Sequence, residues 1–170
     1  LQRICFILGS NLGDREKNLS SAIKMLKKAF DLKNIRESKM LENKALLKPD
    51  SPKSWDVNFL NIAISADIDT EIFTINQILV QIHQIEDFLG RKRQGKNWQP
   101  REIDIDIAAI SDQVVDEDNI KIPHQELLNR HFFLSTMNQV EPNWRFPVAG
   151  EYLNKTISEV LELKDFDIDN

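Results

Sequence analysis

The stretch Ile103-Asp104-Ile105-Asp106-Ile107 leaves this chain few ways to fold. Strict alternation of apolar and acidic residues is the period of a half-buried β-strand, with the isoleucines on one face and both aspartates on the other. The two aspartates then stand roughly 6.5–7 Å apart along an extended chain. Asp is a poor strand former, and neighbouring carboxylates repel. Such a strand needs an apolar layer beneath it, and its aspartates need a cation beside them. Oxygen ligands at this spacing suit Mg²⁺, which binds one or two carboxylates plus substrate phosphates. The plainer alternative is an amphipathic edge strand with its aspartates in water. The residues just upstream favour the metal. Gly90-Arg91-Lys92-Arg93-Gln94-Gly95-Lys96-Asn97 is a basic loop that runs through Trp98-Gln99-Pro100-Arg101 into the acidic strand. Aspartates holding a metal and arginines holding phosphate oxygens give both charges a use at one polyphosphate.

The rest of the chain supplies the layers. Arg3 to Leu8 reads as a buried strand, and Gly9-Ser10-Asn11-Leu12-Gly13-Asp14 as a turn with Asp14 as N-cap. Leu19, Ala22, Ile23, Leu26 and Phe30 recur at helical spacing and predict a first helix to about Phe30. The turn has neither phosphate-loop pattern, G-x-x-x-x-G-K-[ST] or G-x-G-x-x-G. A second strand region is expected from Asn34 to about Leu47, a surface loop from Lys48 to Trp55, and a third strand over Val57 to Ile64. That strand places Phe59, Asn61 and Ala63 on one face; Asn61 is either a hydrogen-bonded core amide or a reader of a planar heterocycle. Thr74 with Gln77 forms a capping box for a second helix. Its apolar face is Ile75, Ile78, Leu79, Ile82, Ile85 and Leu89, with His83 and Glu86 near its end. After the acidic strand, Val114 and Val115 suggest a short strand. Ile120 to His124 is expected to lead into a short helical segment, and His124 and Arg130 to lie beside a helix start, where anions are often held. Thr156 to Leu163 reads as a last helix, and 164–170 as an acidic tail. The order strand, helix, strand, strand, helix, strand predicts an α+β, ferredoxin-like βαββαβ core with a C-terminal extension, an antiparallel sheet with helices packed on it. Residues 1–163 are expected to form a single domain.

Composition bounds the function. With 170 residues, 41% hydrophobic, and a net charge of −5, the chain has the makeup of an ordinary globular domain rather than a nucleic-acid or membrane-surface binder. The single cysteine, Cys5, has no internal disulfide partner and falls in a predicted buried strand. No signal-like segment or membrane-length apolar run is visible, so the expected compartment is the cytoplasm.

Four collinear segments carry a resemblance that spans nearly the whole chain. They are Gly9-Ser10-Asn11-Leu12-Gly13-Asp14, Phe59-Leu60-Asn61, Pro100-Arg101-x-x-Asp104-Ile105-Asp106-Ile107, and Pro123-His124 followed by Asn129-Arg130-x-Phe132. With them the chain resembles the 6-hydroxymethyl-7,8-dihydropterin pyrophosphokinases of folate biosynthesis. The resemblance implies transfer of the β,γ-pyrophosphate of ATP to the hydroxymethyl oxygen of the pterin, releasing AMP. It implies two Mg²⁺ ions on Asp104 and Asp106, and Arg91 and Arg101 on the phosphates alongside these aspartates as the catalytic set. Trp98 would move with the basic loop as a lid, and His124 would touch ATP phosphate. The ATP set expected in this way also takes in His83, Glu86, Arg93, Lys121 and Arg130. On the pterin side, Phe59 and Phe132 would sandwich the ring and Asn61 would read one edge beside Asp104. The segment Asn43, Lys44, Ala45 and Leu46 would read the other edge.

The chain departs from the family pattern at Asn97 and Gln99 around Trp98, at Ala108, at Asn43 and Lys44, at His83 and at Gln125. None of these removes an expected metal ligand or Arg91 or Arg101. Two other classes remain on the residues alone: another two-metal nucleotidyl-transferring enzyme on a ferredoxin-like fold, and a non-catalytic ligand-binding module. Only the pterin reading uses Phe59, Asn61 and Phe132 together. The expected partners are small molecules, ATP and the pterin, with no nucleic acid and no membrane. A start at Leu1 rather than Met leaves room for excision from a fusion with a neighbouring folate-pathway enzyme.

Overall fold

The computed structural model describes residues 1–92, 99–164 and 166. Four strands form the central sheet: β1 (Gln2–Ser10), β2 (Lys33–Glu37), β4 (Phe59–Ile68) and β5 (Asp104–Ile110), in the order β2-β4-β1-β5, with β3 (Leu41–Asn43) also paired to β4. Every pairing is antiparallel. With α1 (Arg15–Ala29) and α2 (Ile75–Phe88) as crossovers, this is the ferredoxin-like arrangement. A two-stranded ribbon, β6 (Val115–Glu117) and β7 (Ile120–Ile122), follows, then α3 (His131–Val140) and α4 (Ile157–Leu163).

Two apolar layers hold the sheet. Ile4, Phe6, Leu8, Ile62, Ile64, Ile105 and Ile107 face α1 and α2, against Leu19, Leu26, Ile78 and Ile82. Cys5, Ile7, Ala63, Ala108 and Ala109 face α3 and α4, against Phe133, Leu134, Met137 and Val160. Burying each such large side chain contributes roughly 1.5–3 kcal/mol, which is what holds an Asp-bearing strand inside a sheet. The two caps expected from the sequence are present: Asp14 accepts from the Lys17 N–H, and Thr74 and Gln77 form a reciprocal capping box. Thr156 and Glu159 make a second capping box at α4. Glu159 is held below the ordinary Glu range, first by the Thr156 backbone N–H and then by its hydroxyl.

Several boundaries differ from the expectation. The strand region from Asn34 is two strands, because Ser38 substitutes its hydroxyl for the ladder: the Ala63 N–H donates to Ser38 Oγ at 2.9 Å. β4 starts at Phe59 rather than Val57, since the carbonyls of Val57 and Asn58 are taken by Asn11 and Arg15 side chains. It runs on to Ile68 along β1. Ile120 to His124 leads not into a helix but into turns after β7; the first regular helix begins at His131, with Arg130 as its N-cap residue. Among the described residues, no helix is long and apolar enough to cross a membrane.

Candidate active site

Strand register builds the floor of the site. Gly9 on β1 lies opposite Asn61 on β4 and opposite Asp104 on β5, and Leu41 on β3 lies opposite Asn61. Cross-strand partners share a face, so Asn61, Gly9 and Asp104 form one row on the α3 side of the sheet. The row is open at its centre because Gly9 has no side chain. A Cβ there would stand 2.9 Å from Asn61 Oδ1 and 3.3 Å from Phe59 Cδ1. One step along, Ile7 lies opposite Asp106.

Two cavities meet at the aspartates. One, of about 370 Å³, is lined by Gly9, Asn43, Leu46, Phe59, Asn61, Arg101, Arg130 and Phe132. The other, of about 270 Å³, is lined by Leu79, Ile82, His83, Glu86, Arg91, Asn119, Ile120 and Lys121. Asp104, Asp106, His124 and Gln125 line both. The first has an aromatic and amide lining; the second joins isoleucines to charged groups.

In the aromatic cavity the amides are prearranged. Asn61 Nδ2 donates to Asn43 Oδ1 and to the Leu41 carbonyl, and Asn43 Nδ2 donates to the Lys44 carbonyl. Asn43 and Leu46 line the cavity, whereas Lys44 and Ala45 stand outside its lining. Phe132 is buried beneath the Arg130 guanidinium, 4.6 Å from ring centroid to Cζ. Arg130 Nε and Nη2 are buried without a hydrogen-bond partner among the described residues. Burial lowers the Arg130 pKa against the pull of Glu126, Asp106 and Asp104. Unpartnered buried donors are costly, so they mark a place for an acceptor such as a phosphate oxygen.

At the junction, Arg91 Nη1 donates to Asp104 Oδ1 at 2.6 Å and Arg101 Nη1 to Oδ2 at 3.1 Å. Burial and then the Asp106 charge hold Asp104 above the ordinary Asp range, against both arginines. His124 Nε2 stands 3.5 Å from Asp106 Oδ1. Burial pulls the His124 pKa down, but the Asp106 hydrogen bond and charge outweigh it, and the net shift is up. Three contacts fix the ring: the Glu126 N–H donates to Nδ1 at 3.2 Å, the His124 N–H donates to the Ala108 carbonyl at 2.9 Å, and Phe133 stacks on it at 4.9 Å. Ala108 has that carbonyl to offer because β5 bulges there: Ala109 pairs with Cys5 and Ile107 with Phe6, skipping Ala108.

The donor set suits a hard divalent cation. Asp104 and Asp106 present carboxylate oxygens between the cavities, and among the described residues no third His, Cys, Asp or Glu completes a protein cage. That leaves coordination positions for phosphate and water, the pattern Mg²⁺ prefers.

Comparison with known proteins decides the family. Residues 5–142 match the 7,8-dihydro-6-hydroxymethylpterin-pyrophosphokinase family. The chain belongs to it. A 2-amino-4-hydroxy-6-hydroxymethyldihydropteridine pyrophosphokinase of Aquifex aeolicus is 35% identical over 152 residues, covering 87% of this chain and 86% of its own length. A folate synthesis bifunctional protein of Chlamydia caviae is 37% identical over 163 residues, 95% of this chain but 36% of that protein. The chain thus spans about a third of the bifunctional relatives it matches. Among solved structures, Plasmodium falciparum HPPK-DHPS with pterin and p-hydroxybenzoate superposes with a TM-score of 0.65 at 14% identity, over 95% of this chain and 42% of that one. At that identity the likeness speaks for the fold alone.

In this pyrophosphokinase-family chain the fold gathers Arg91, Arg101, Asp104, Asp106, His124, Arg130, Phe59, Asn61 and Phe132 around two adjoining cavities. His83 and Lys121 line the outer part of the second cavity, where both are exposed. Glu86 is buried rather than exposed. Arg93 and Trp98 lie outside the described residues. Sequence reasoning missed Asn11. Its Oδ1 accepts from the Arg101 N–H at 2.8 Å, its N–H donates to the Arg101 carbonyl at 3.1 Å, and its Nδ2 donates to the Val57 carbonyl at 3.1 Å. The loop after β1 is therefore a bracket for Arg101, while Gly9 and Ser10, read as turn from the sequence, belong to the strand. The only hint in the sequence was an Asn between two glycines, which reads equally well as a turn residue.

Proposed function

We propose that this chain transfers the β,γ-diphosphate of ATP to the hydroxymethyl oxygen of 6-hydroxymethyl-7,8-dihydropterin, giving the pterin diphosphate and AMP. The observation that carries the reading is the meeting of an aromatic-amide cavity and a basic cavity at Asp104, Asp106 and His124. A planar heterocycle fits between Phe59 and Phe132, with the Asn43–Asn61 amide pair at its edge. A nucleotide fits the second cavity, with its base toward Leu79, Ile82 and Ile120 and its phosphates toward Arg91 and His124.

Asp104 and Asp106 would hold Mg²⁺. A metal held there would supply charge stabilisation to the phosphorus under attack and to the departing AMP oxygen. The chain's own residues do the rest by position and charge, as phosphoryl-type transfer requires. Arg101, bracketed by Asn11, faces the aromatic cavity and Arg91 the nucleotide cavity, so between them they span the transferred group. His124, fixed by Phe133 and Ala108, presents Nε2 toward the phosphates. The new bond joins the hydroxymethyl oxygen to the β-phosphorus; the bond from that phosphorus to the AMP oxygen breaks, and the hydroxyl proton is released to solvent. A cytoplasmic setting, where ATP is supplied, fits this chemistry. Fusion to a second folate enzyme fits the length of the bifunctional relatives.

The test is incubation with ATP, Mg²⁺ and the hydroxymethyl pterin. AMP is expected, dependent on both pterin and metal. ADP as the sole nucleotide product, or turnover that survives Asp104→Ala combined with Asp106→Ala, would overturn the reading. The rival nucleotidyl-transfer class predicts pyrophosphate release instead.

A further inference from the structure

Glu86 is a third acid at the junction, and its surroundings differ from those of the two aspartates. It sits in the last turn of α2 with its side chain 2% exposed. A carboxylate that far from water is costly unless it is paired. Its Oε1 accepts from the Ile105 N–H at 2.8 Å, on the strand between the two aspartates. The same oxygen accepts from Arg91 Nη1. The backbone repeats this link. Gly90, at φ +103, ends α2 in a left-handed turn, and the Arg91 N–H reaches back to the Glu86 carbonyl at 3.0 Å. That is the 6→1 bond of a Schellman motif. Arg91 is thus bonded to Glu86 by both its main chain and its guanidinium.

Arg91 Nη1 is shared between two acids, Glu86 and Asp104. Asp104 in turn is shared between two arginines, Arg91 and Arg101. In the free protein the arginines act as the counter-ions of Asp104, at the carboxylate a cation would use. A cation on Asp104 and a guanidinium on the same oxygens repel each other, so Asp104 must exchange partners when Mg·ATP binds.

We propose that Glu86 is a positioning residue that keeps Arg91 at the site through this exchange. The proposal rests on the diphosphate-transfer reading. As Asp104 turns from arginine to cation, Arg91 keeps its bond to Glu86 and its main-chain bond to α2. Its remaining N–H groups are then presented to the phosphates from a fixed point. Because Glu86 also holds the Ile105 N–H, that fixed point is tied to the strand bearing both aspartates. A purely structural Glu86 would only pin α2 to β5.

The test uses Glu86→Gln, which keeps a carbonyl oxygen for the Ile105 N–H and removes the charge that retains Arg91. The readout is the Mg²⁺ concentration at half-saturation for binding of α,β-methylene ATP, whose blocked bond prevents AMP release, measured by calorimetry on the whole chain. With Glu86 neutral, Arg91 stays with Asp104 and opposes the cation. The midpoint should rise roughly tenfold or more, the range typical when a partner of a metal-ligand cluster is removed. In an Arg91→Ala background the same Glu86→Gln change should shift the midpoint little. A shift undiminished in that background would mean that Glu86 acts through space rather than through Arg91, and would overturn the proposal. So would an unshifted midpoint in Glu86→Gln beside a normal wild-type response. A wild-type chain that binds the analogue without Mg²⁺ dependence, or fails to bind it, overturns the diphosphate-transfer reading, and the proposal falls with it.

Discussion

Replacing Gly9 by Ala is the smallest change that should injure the aromatic cavity, proposed for the pterin, and spare the one proposed for the nucleotide. Gly9 lines the former and not the latter. The added methyl would meet Asn61 Oδ1 at 2.9 Å and Phe59 Cδ1 at 3.3 Å. Neither neighbour yields freely. Asn61 is tied by Nδ2 to Asn43 and to the Leu41 carbonyl, and Phe59 starts β4 opposite Asn43. Overpacking of this kind costs about 1–3 kcal/mol. Against it stands the gain from replacing a strand glycine, about 0.5–1 kcal/mol. The net loss of stability therefore lies between nothing and about 2.5 kcal/mol. The displaced pair, Asn61 and Phe59, is the pair expected to read and stack the pterin. If about 1.4 kcal/mol of the overpacking appears as a distorted cavity, pterin affinity falls about tenfold. The assay is equilibrium binding of the pterin and, separately, of Mg·ATP, with a thermal melt on the same protein. Weaker pterin binding with unchanged ATP binding is expected. Full pterin affinity in a folded Gly9→Ala variant would mean that the row Asn61, Gly9, Asp104 is not the pterin floor.

Three further predictions follow from single contacts. Asn11→Ala strips the bracket from Arg101 and leaves its N–H unpaired; stability should fall by about 1–3 kcal/mol in denaturant melts, and turnover should drop more than pterin affinity. Arg130→Met removes two unpartnered buried donors while keeping a contact with the Phe132 ring, so it should raise the melting temperature yet lower kcat/KM; a destabilised variant would refute the reading of Arg130 as a donor waiting for substrate. His124 titrates above its ordinary value in the folded chain, so its pairing with Asp106 stabilises the fold below about pH 6.5, the unfolded value, and that contribution is lost as pH rises through the folded pKa. In metal-free denaturant melts from pH 6 to pH 9 the wild type should lose more stability than His124→Asn; parallel profiles would contradict the assignment.

Much of the fold was legible because it depends on local periodicity. The Ile–Asp alternation predicts β5, and the residues at helical spacing predict α1 and α2 to within a residue or two. Asp14 and Thr74 declare their helix starts because caps are chemistry within one turn. The break at Ser38 and the bulge at Ala108 were not legible, since each depends on a partner strand far away in the chain. The site divides the same way. Asn61, Asp104 and Asp106 announce themselves by standing out in apolar strands, whereas Phe59 takes its role only from the resemblance. Asn11 and Phe133 hold other residues, and their side chains differ in no way from those of an ordinary turn or core.

The juxtaposition of a basic loop and an acidic strand, puzzling in the sequence, is resolved by charge accounting in the fold. Two aspartates on one strand face would repel each other, and burial already holds Asp104 toward its protonated form. Arg91 and Arg101 oppose that at Asp104 and His124 stands beside Asp106, each within 3.5 Å of an aspartate oxygen. The strand can therefore form before any cation arrives. The same three side chains line the cavities assigned to the substrates. On the proposed reading, groups that stabilise the free chain are the groups released to the phosphates when the aspartates change partners. Stability without ligand and catalysis with it draw on one set of charges, so removing Arg91 or Arg101 should damage both.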